Sequence, residues 1–143
     1  YVNGQQRYEN DYLEPIMSDL RSIGRIQKHS SVLDISRFGA SPDEIEQVIL
    51  PEFFRITDAK GDSTNKRYRR HIEFNVWGNM FHPEWGQTNT WEWFTDQFEA
   101  VGSRLHGCDS VDGGLAAVRV HWADDRYGVI AFSPVVRFPS KPR

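Results

Sequence analysis

His71 and His82 each precede a glutamate by two residues, Glu73 and Glu84, which puts four metal-ligating side chains in one short stretch. If that stretch is extended, His71 and Glu73 share a face, and imidazole with carboxylate is a donor set that zinc accepts. The spacing is not the tight His-Glu-x-x-His of helical zinc sites. The plainer reading is therefore solvated or hydrogen-bonded surface groups and no metal. A small metal-dependent hydrolase built on His71, Glu73 and His82 stands as the enzymatic alternative. His106, Cys108 and Asp109 hold the residue types of a nucleophilic triad, but neighbours in sequence seldom form one. Cys108 reads as structural or incidental, and no nucleophile elbow, phosphate loop or dinucleotide fingerprint accompanies it. No catalytic residue and no cofactor are assigned.

Two charged sets remain. Glu92, Asp96 and Glu99 fall on one side of a helical wheel, and Asp124-Asp125 sit in a turn. A glycosidase-type pair must face each other across a cleft, so the first set reads as the solvated side of a helix. Put to use, it would be an acidic ridge for a partner with a basic surface. Lys66-Arg67-Tyr68-Arg69-Arg70 has the basic and aromatic composition found on phosphate backbones. In a chain of net charge −3, a solvated edge strand is its commoner meaning, and a nucleic-acid-binding module is the further alternative. Trp77, Phe81, His82, Trp85, Trp91 and Trp93 crowd the stretch from 77 to 93. Trp91 fits a buried stripe; Trp85 and Trp93 do not, and exposed tryptophans mark contact surfaces.

The elements that would position these groups follow from periodicity. Trp91, Phe94, Phe98, Val101 and Leu105 recur at three and four, which predicts a long amphipathic helix from Asn89 to Leu105 with Asn89 as its cap. Ile72, Phe74 and Val76 alternate with polar neighbours, which predicts a half-buried strand leading into an aromatic loop over residues 78–88. Leu13, Ile16, Met17 and Leu20 predict an earlier helix that tolerates Pro15 in its first turn and ends at Gly24. Residues 32–36 predict a short strand. Ser41-Pro42-Asp43-Glu44 is a capped helix start, and Pro51 should stop that helix. Residues 116–122 and 127–132 predict an antiparallel hairpin around the turn at Ala123–Arg126, with a short extended piece over 135–138.

At 143 residues with 38% hydrophobic and 13% aromatic content, the chain suits a single domain, residues 1–143, whose core rests on large side chains. Residues 1–9 read as a loose lead-in and 139–143 as a tail. One cysteine excludes an internal disulfide and makes a reducing cytoplasm the expected compartment. No apolar run reaches the roughly 20 residues that span a bilayer. The fold class expected is α+β: a largely antiparallel sheet with two to three helices packed on one face.

Leu33-Asp34-Ile35, Ser41-Pro42-Asp43-Glu44-Ile45, Pro51, Lys60-Gly61-Asp62, Arg69 and Trp77, in that order, resemble the opening of a bacterial family catalogued as domain of unknown function 4279. The resemblance covers about Val32–Phe132 and leaves out the segment before Ser31. It implies no catalytic residues. What it does imply is an immunity or interaction protein accompanying a toxin. The partner-binding surface expected on that basis joins Trp85 and Trp93 to Glu92, Asp96 and Glu99, with aromatic anchors supplying burial and the acids steering a basic protein partner.

Overall fold

The computed structural model describes residues 6–57, 66–87, 91–97, 102–107 and 118–136. The Asn89 cap, the Lys60–Asp62 turn, Phe98, Glu99, Val101, Cys108 and the tail lie outside the described residues. The fold is α+β. A four-stranded sheet runs in the order β4 (Val118–Trp122), β3 (Ser103–Gly107), β2 (Trp91–Trp93), β5 (Ile130–Ala131). Its pairs are antiparallel except β2 with β5. A separate antiparallel pair joins β1 (Lys66–Tyr68) to β6 (Pro134–Val136).

Local signals hold where they are strong. Leu13 and three residues of α1 (Glu14–Ser22), Ile16, Met17 and Leu20, form the expected buried stripe. Gly24 follows in the left-handed region, where glycine is free of the Cβ penalty. Ser41 caps α2 (Pro42–Glu44) in a full capping box: its Oγ accepts from the Glu44 N–H, and the Glu44 carboxylate accepts from the Ser41 N–H. Pro51 does not end this helix. Residues Ile45–Ile49 widen into a π turn, with the Leu50 N–H reaching the Ile45 carbonyl, and α3 (Leu50–Ile56) resumes with Pro51 in its first turn. The wider turn puts proline, which lacks the N–H, where that donor is not needed.

Three predicted elements are corrected. Residues 32–36 form turns, because the carbonyls of Leu33, Asp34, Ser36 and Phe38 converge on the Arg21 guanidinium at 2.6–3.1 Å. Carbonyls of consecutive residues cannot do this from a strand, where they alternate. Ile72–Val76 belongs to a helix, α4 (His71–Phe81), that buries Phe74 and Gly78. Its start is fixed from a distance, since the Asp96 carboxylate accepts from the His71 N–H at 2.7 Å. Where the long helix over 89–105 is expected, the described residues include two strands, β2 and the first part of β3. Trp91 and Trp93 share one side of β2 while Glu92 takes the other, a period of two that the longer apolar stripe concealed. Phe94 and Leu105 do meet, through the Phe94 N–H on the Leu105 carbonyl at 2.8 Å.

The predicted hairpin is also rearranged. β4 pairs with β3 over its whole length, from Ser103↔Trp122 to Gly107↔Val118. The chain then crosses to the far edge of the sheet, where β5 lies parallel to β2. In the lead-in, the Tyr8 ring lies 5.4 Å from Phe38, and Arg7 pairs with Glu14 at 3.3 Å.

Trp93, Ile130 and Phe132 pack with α1, the π turn and α3 in the larger apolar cluster. Phe74 of α4 packs with Phe94, Trp85 and Leu105 in a smaller one. No described helix is long and apolar enough to cross a membrane.

Candidate functional site

The structure divides the expected partner surface. Trp93 is wholly buried in the larger cluster. Glu92 is buried too, and both its carboxylate oxygens are held by Arg69 at 2.7 and 2.9 Å. Asp96 is half-buried at the start of α4. Trp85 stacks between Phe74 (5.6 Å, 19°) and His82 (4.4 Å, 11°), with the Arg69 guanidinium 4.5 Å from its ring centre. It closes the smaller core instead of reaching outward. The described members of the acidic ridge, Glu92 and Asp96, bond inward, to Arg69 and to the His71 N–H.

Bonds of the same kind take up two arginines of the basic run. Arg67 grips Glu73 with two nitrogens at 2.5 and 2.8 Å, and Arg69 grips Glu92. Arginines already paired in this bidentate way are poorly placed to neutralise phosphates. Of the residues in the metal alternative, Glu73 and His82 already have partners. Glu73 belongs to Arg67, which holds its carboxyl below the usual range, while His82 bonds Glu84 at 3.1 Å on the exposed side. Among the described residues no three of His, Cys, Asp and Glu gather to hold a metal.

Two features replace these candidates. The first is the outward side of α4. Ile72 is 63% exposed, Trp77 56% and Met80 64%, with Val76 and Phe81 also open and the Trp77 and Phe81 rings 4.9 Å apart. A helix apolar on its buried row and again on its outer row is unusual on a free surface. Reading this segment as a strand hid the row, since alternation sent Ile72 and Val76 to the core.

The second is a cleft of about 260 Å³ lined by Trp91, His106, Arg119, His121, Val129 and Ile130. The register Trp93↔His106 and Arg104↔His121 brings these groups onto one face of β2, β3 and β4. His106 is 4% exposed and edge-on to Trp91 (4.9 Å) and Trp93 (5.3 Å). It stacks on His121 at 4.8 Å and 14°. Neither of its ring nitrogens has a hydrogen-bond partner, nor does the buried Trp93 Nε1. Each such orphan costs about 1–3 kcal/mol. Burial pushes the His106 pKa down to about 3, with His121 and Arg119 adding to the effect. The ring is therefore a neutral imidazole at pH 7. His121 is held by the Tyr127 hydroxyl at 3.3 Å and lies 3.8 Å from Asp125, and the Arg119 guanidinium is 5.7 Å from the Trp91 ring centre.

Sequence reasoning missed this cluster because it put Trp91 on a helix. The alternation of Arg119 and His121 in β4 was the one visible sign that polar groups shared a sheet face. No protein-family model, curated protein or solved structure matches the chain.

Proposed function

We propose that the chain is a cytoplasmic protein that acts by binding another protein through the outward row of α4. The observation that carries this reading is the run Ile72, Val76, Trp77, Met80 and Phe81 exposed on one helix. Tryptophan, phenylalanine and methionine are enriched at the desolvated centres of protein interfaces, and a helix row of this kind suits an apolar groove on the partner. Arg70 and Glu73 flank the row and already lie 3.9 Å apart, so burial of apolar surface, not charge, is what the face offers. The finer reading is an immunity-like protein that blocks a bacterial toxin. It rests on the resemblance to domain of unknown function 4279.

The test is co-purification of the full chain with the product of the neighbouring reading frame, with and without the double change Trp77→Ser and Met80→Ser. The expected result is a complex that the double change weakens at least about thirtyfold, the loss of roughly 2 kcal/mol or more that a hot spot carries. A complex of unchanged affinity would move the interface off α4, and a neighbour that never binds would remove the toxin-blocking reading.

A further inference from the structure

We infer that the outer edge of β4 is a strand-addition site, which takes an extended, amphipathic segment of another protein as a further strand of the sheet. No residue of the outward row of α4 enters this inference, so each surface stands without the other.

Hydrogen-bond parity fixes which way the β4 backbone points. Leu105 donates its N–H to the Asp96 carbonyl at 3.0 Å, and its own carbonyl accepts from the Phe94 N–H at 2.8 Å. Both bonds lie on the β2 side of β3. In an antiparallel ladder the N–H and carbonyl of one residue point the same way, and the two members of a non-bonded pair point apart. Val120 is the partner of Leu105, so its N–H and carbonyl face away from the sheet, as do those of Val118 two residues earlier. The Ala123 N–H on the Gly102 carbonyl at 2.7 Å gives the same parity from the other end. Trp122 also points outward, but Asp125 takes both its groups: the carboxylate accepts from the Trp122 N–H at 3.2 Å, and the Asp125 N–H donates to the Trp122 carbonyl at 3.1 Å. Among the described residues nothing bonds the outward groups of Val118 and Val120. The opposite edge is treated differently, since the Gly39 N–H covers the Ile130 carbonyl of β5 at 3.3 Å.

The side chains define the segment that fits. Val118, Val120 and Trp122 share one face of β4 and are exposed. On that face Val120 lies opposite Leu105, so the row continues the smaller cluster of Phe74, Phe94 and Leu105. A strand with an apolar residue at every second position covers the row and enlarges that cluster. Its other face, beside Arg119 and His121, is polar. β4 carries neither the lysine nor the proline that commonly blunts an edge. A second copy of the chain fits less well. A two-fold axis through Val120 sets Val118 against the closed Trp122, and one through Arg119 sets two arginines directly opposite each other.

The probe is a synthetic peptide of about ten residues in which valine alternates with threonine between terminal lysines. It is made in two forms, N-methylated on every threonine or on every valine, so that each form keeps one bonding edge. Only the threonine-methylated form can bond to Val118 and Val120 while its valines lie on their face. It is expected to bind the full chain with a Kd on the order of 1 mM, and the valine-methylated form at least about tenfold more weakly. In the free chain the Val118 and Val120 amides should exchange at least about a hundredfold faster than those of Arg119 and His121, and the bound peptide should slow them. Val120→Pro removes an outward N–H that the sheet does not use, a place where edge strands tolerate proline. It should weaken the peptide at least about tenfold, with the amide spectrum reporting that the chain is folded. Trp122→Ser, which leaves the backbone edge intact, should weaken it severalfold. The assignment is overturned if Val118 and Val120 are already protected in the free chain, sedimentation then telling whether a second copy or the chain itself covers the edge. It is equally overturned if the two methylated forms bind alike, if neither binds at about 10 mM, or if folded Val120→Pro binds as well as the wild type.

Discussion

Arg21 and His106 are hidden to nearly the same degree, at 2% and 4% exposure, and their surroundings treat them in opposite ways. Arg21 stands at the end of α1, and its two terminal nitrogens reach four backbone carbonyls from the segment 33–38. Burial lowers its pKa, while Asp34 and Glu44 act the other way. Next to it, Arg37 donates to both Asp11 oxygens and to the Phe132 carbonyl, and its guanidinium lies over the Tyr8 and Tyr12 rings. The amino-terminal half thus wraps chain around its buried cations. His106 receives aromatic contacts on several sides and no hydrogen bond from any. Buried polar groups in native proteins are normally satisfied. Arg21 keeps only its Nε without a partner, whereas His106 has none at either ring nitrogen.

The largest break in this comparison comes from the satisfied side. Asp11→Ala leaves the Arg37 guanidinium buried with only the Phe132 carbonyl and aromatic faces for company. The expected loss is about 3–5 kcal/mol of unfolding free energy, measured by denaturant titration at pH 7. A loss under about 1 kcal/mol would mean that the aromatic cage alone holds Arg37, and the contrast with His106 would collapse.

His106→Phe tests the other side and should behave in the opposite sense. Replacing an unpaired imidazole by an apolar ring of similar shape is close to neutral or stabilising at pH 7. The wild-type chain carries a pH dependence that this change removes. The unfolded chain takes up the histidine proton near 6.5, while the folded one holds off until about 3. Between those values the unfolded state binds more protons, so stability is fully present above pH 6.5 and is lost as pH falls toward 3. From pH 6.5 to 5 the loss attributable to His106 is about 2 kcal/mol, and His106→Phe should lose that much less over the same interval. Parallel curves for the two proteins would show that His106 is not held neutral by the fold.

What the sequence allowed a reader to see follows the same division between local and distant causes. α1 and the Ser41–Glu44 cap were legible because each signal lies within a few residues of its effect. Segment 32–36 misled because its carbonyls answer to Arg21, a partner on another element. α4 misled because its first N–H is capped by Asp96, and its apolar residues satisfy a strand pattern as well as a helical one. Tertiary context decides such cases over propensity. At the site, Trp85 was singled out for exposure and turned out to be a stacking partner, while His106 drew notice only as a neighbour of Cys108. Trp91 and His121 join His106 only once β2, β3 and β4 are paired, so no spacing within one segment announces the cleft.

The finest distinction concerns what keeps His106 neutral. Burial is the leading cause, the neighbouring His121 comes next and Arg119 last. Among the described residues, Arg104 on this side of the sheet is engaged with Glu46 at 2.9 and 3.1 Å, and Asp125 lies beside His121. Arg119→Gln removes one charge from an exposed position in solvent, where Coulomb interactions are weak. It should leave stability at pH 7 within about 0.5 kcal/mol. The acid limb should become shallower by only a few tenths of a kcal/mol, since the folded pKa rises slightly and burial still opposes the proton. Stability measured at pH 7 and pH 5, in low and in high salt, separates the causes. A limb that flattens as much in Arg119→Gln as in His106→Phe would mean that charge, which salt screens, holds the proton off. A limb that survives both the substitution and the salt leaves the dry aromatic walls of Trp91 and Trp93 as the cause.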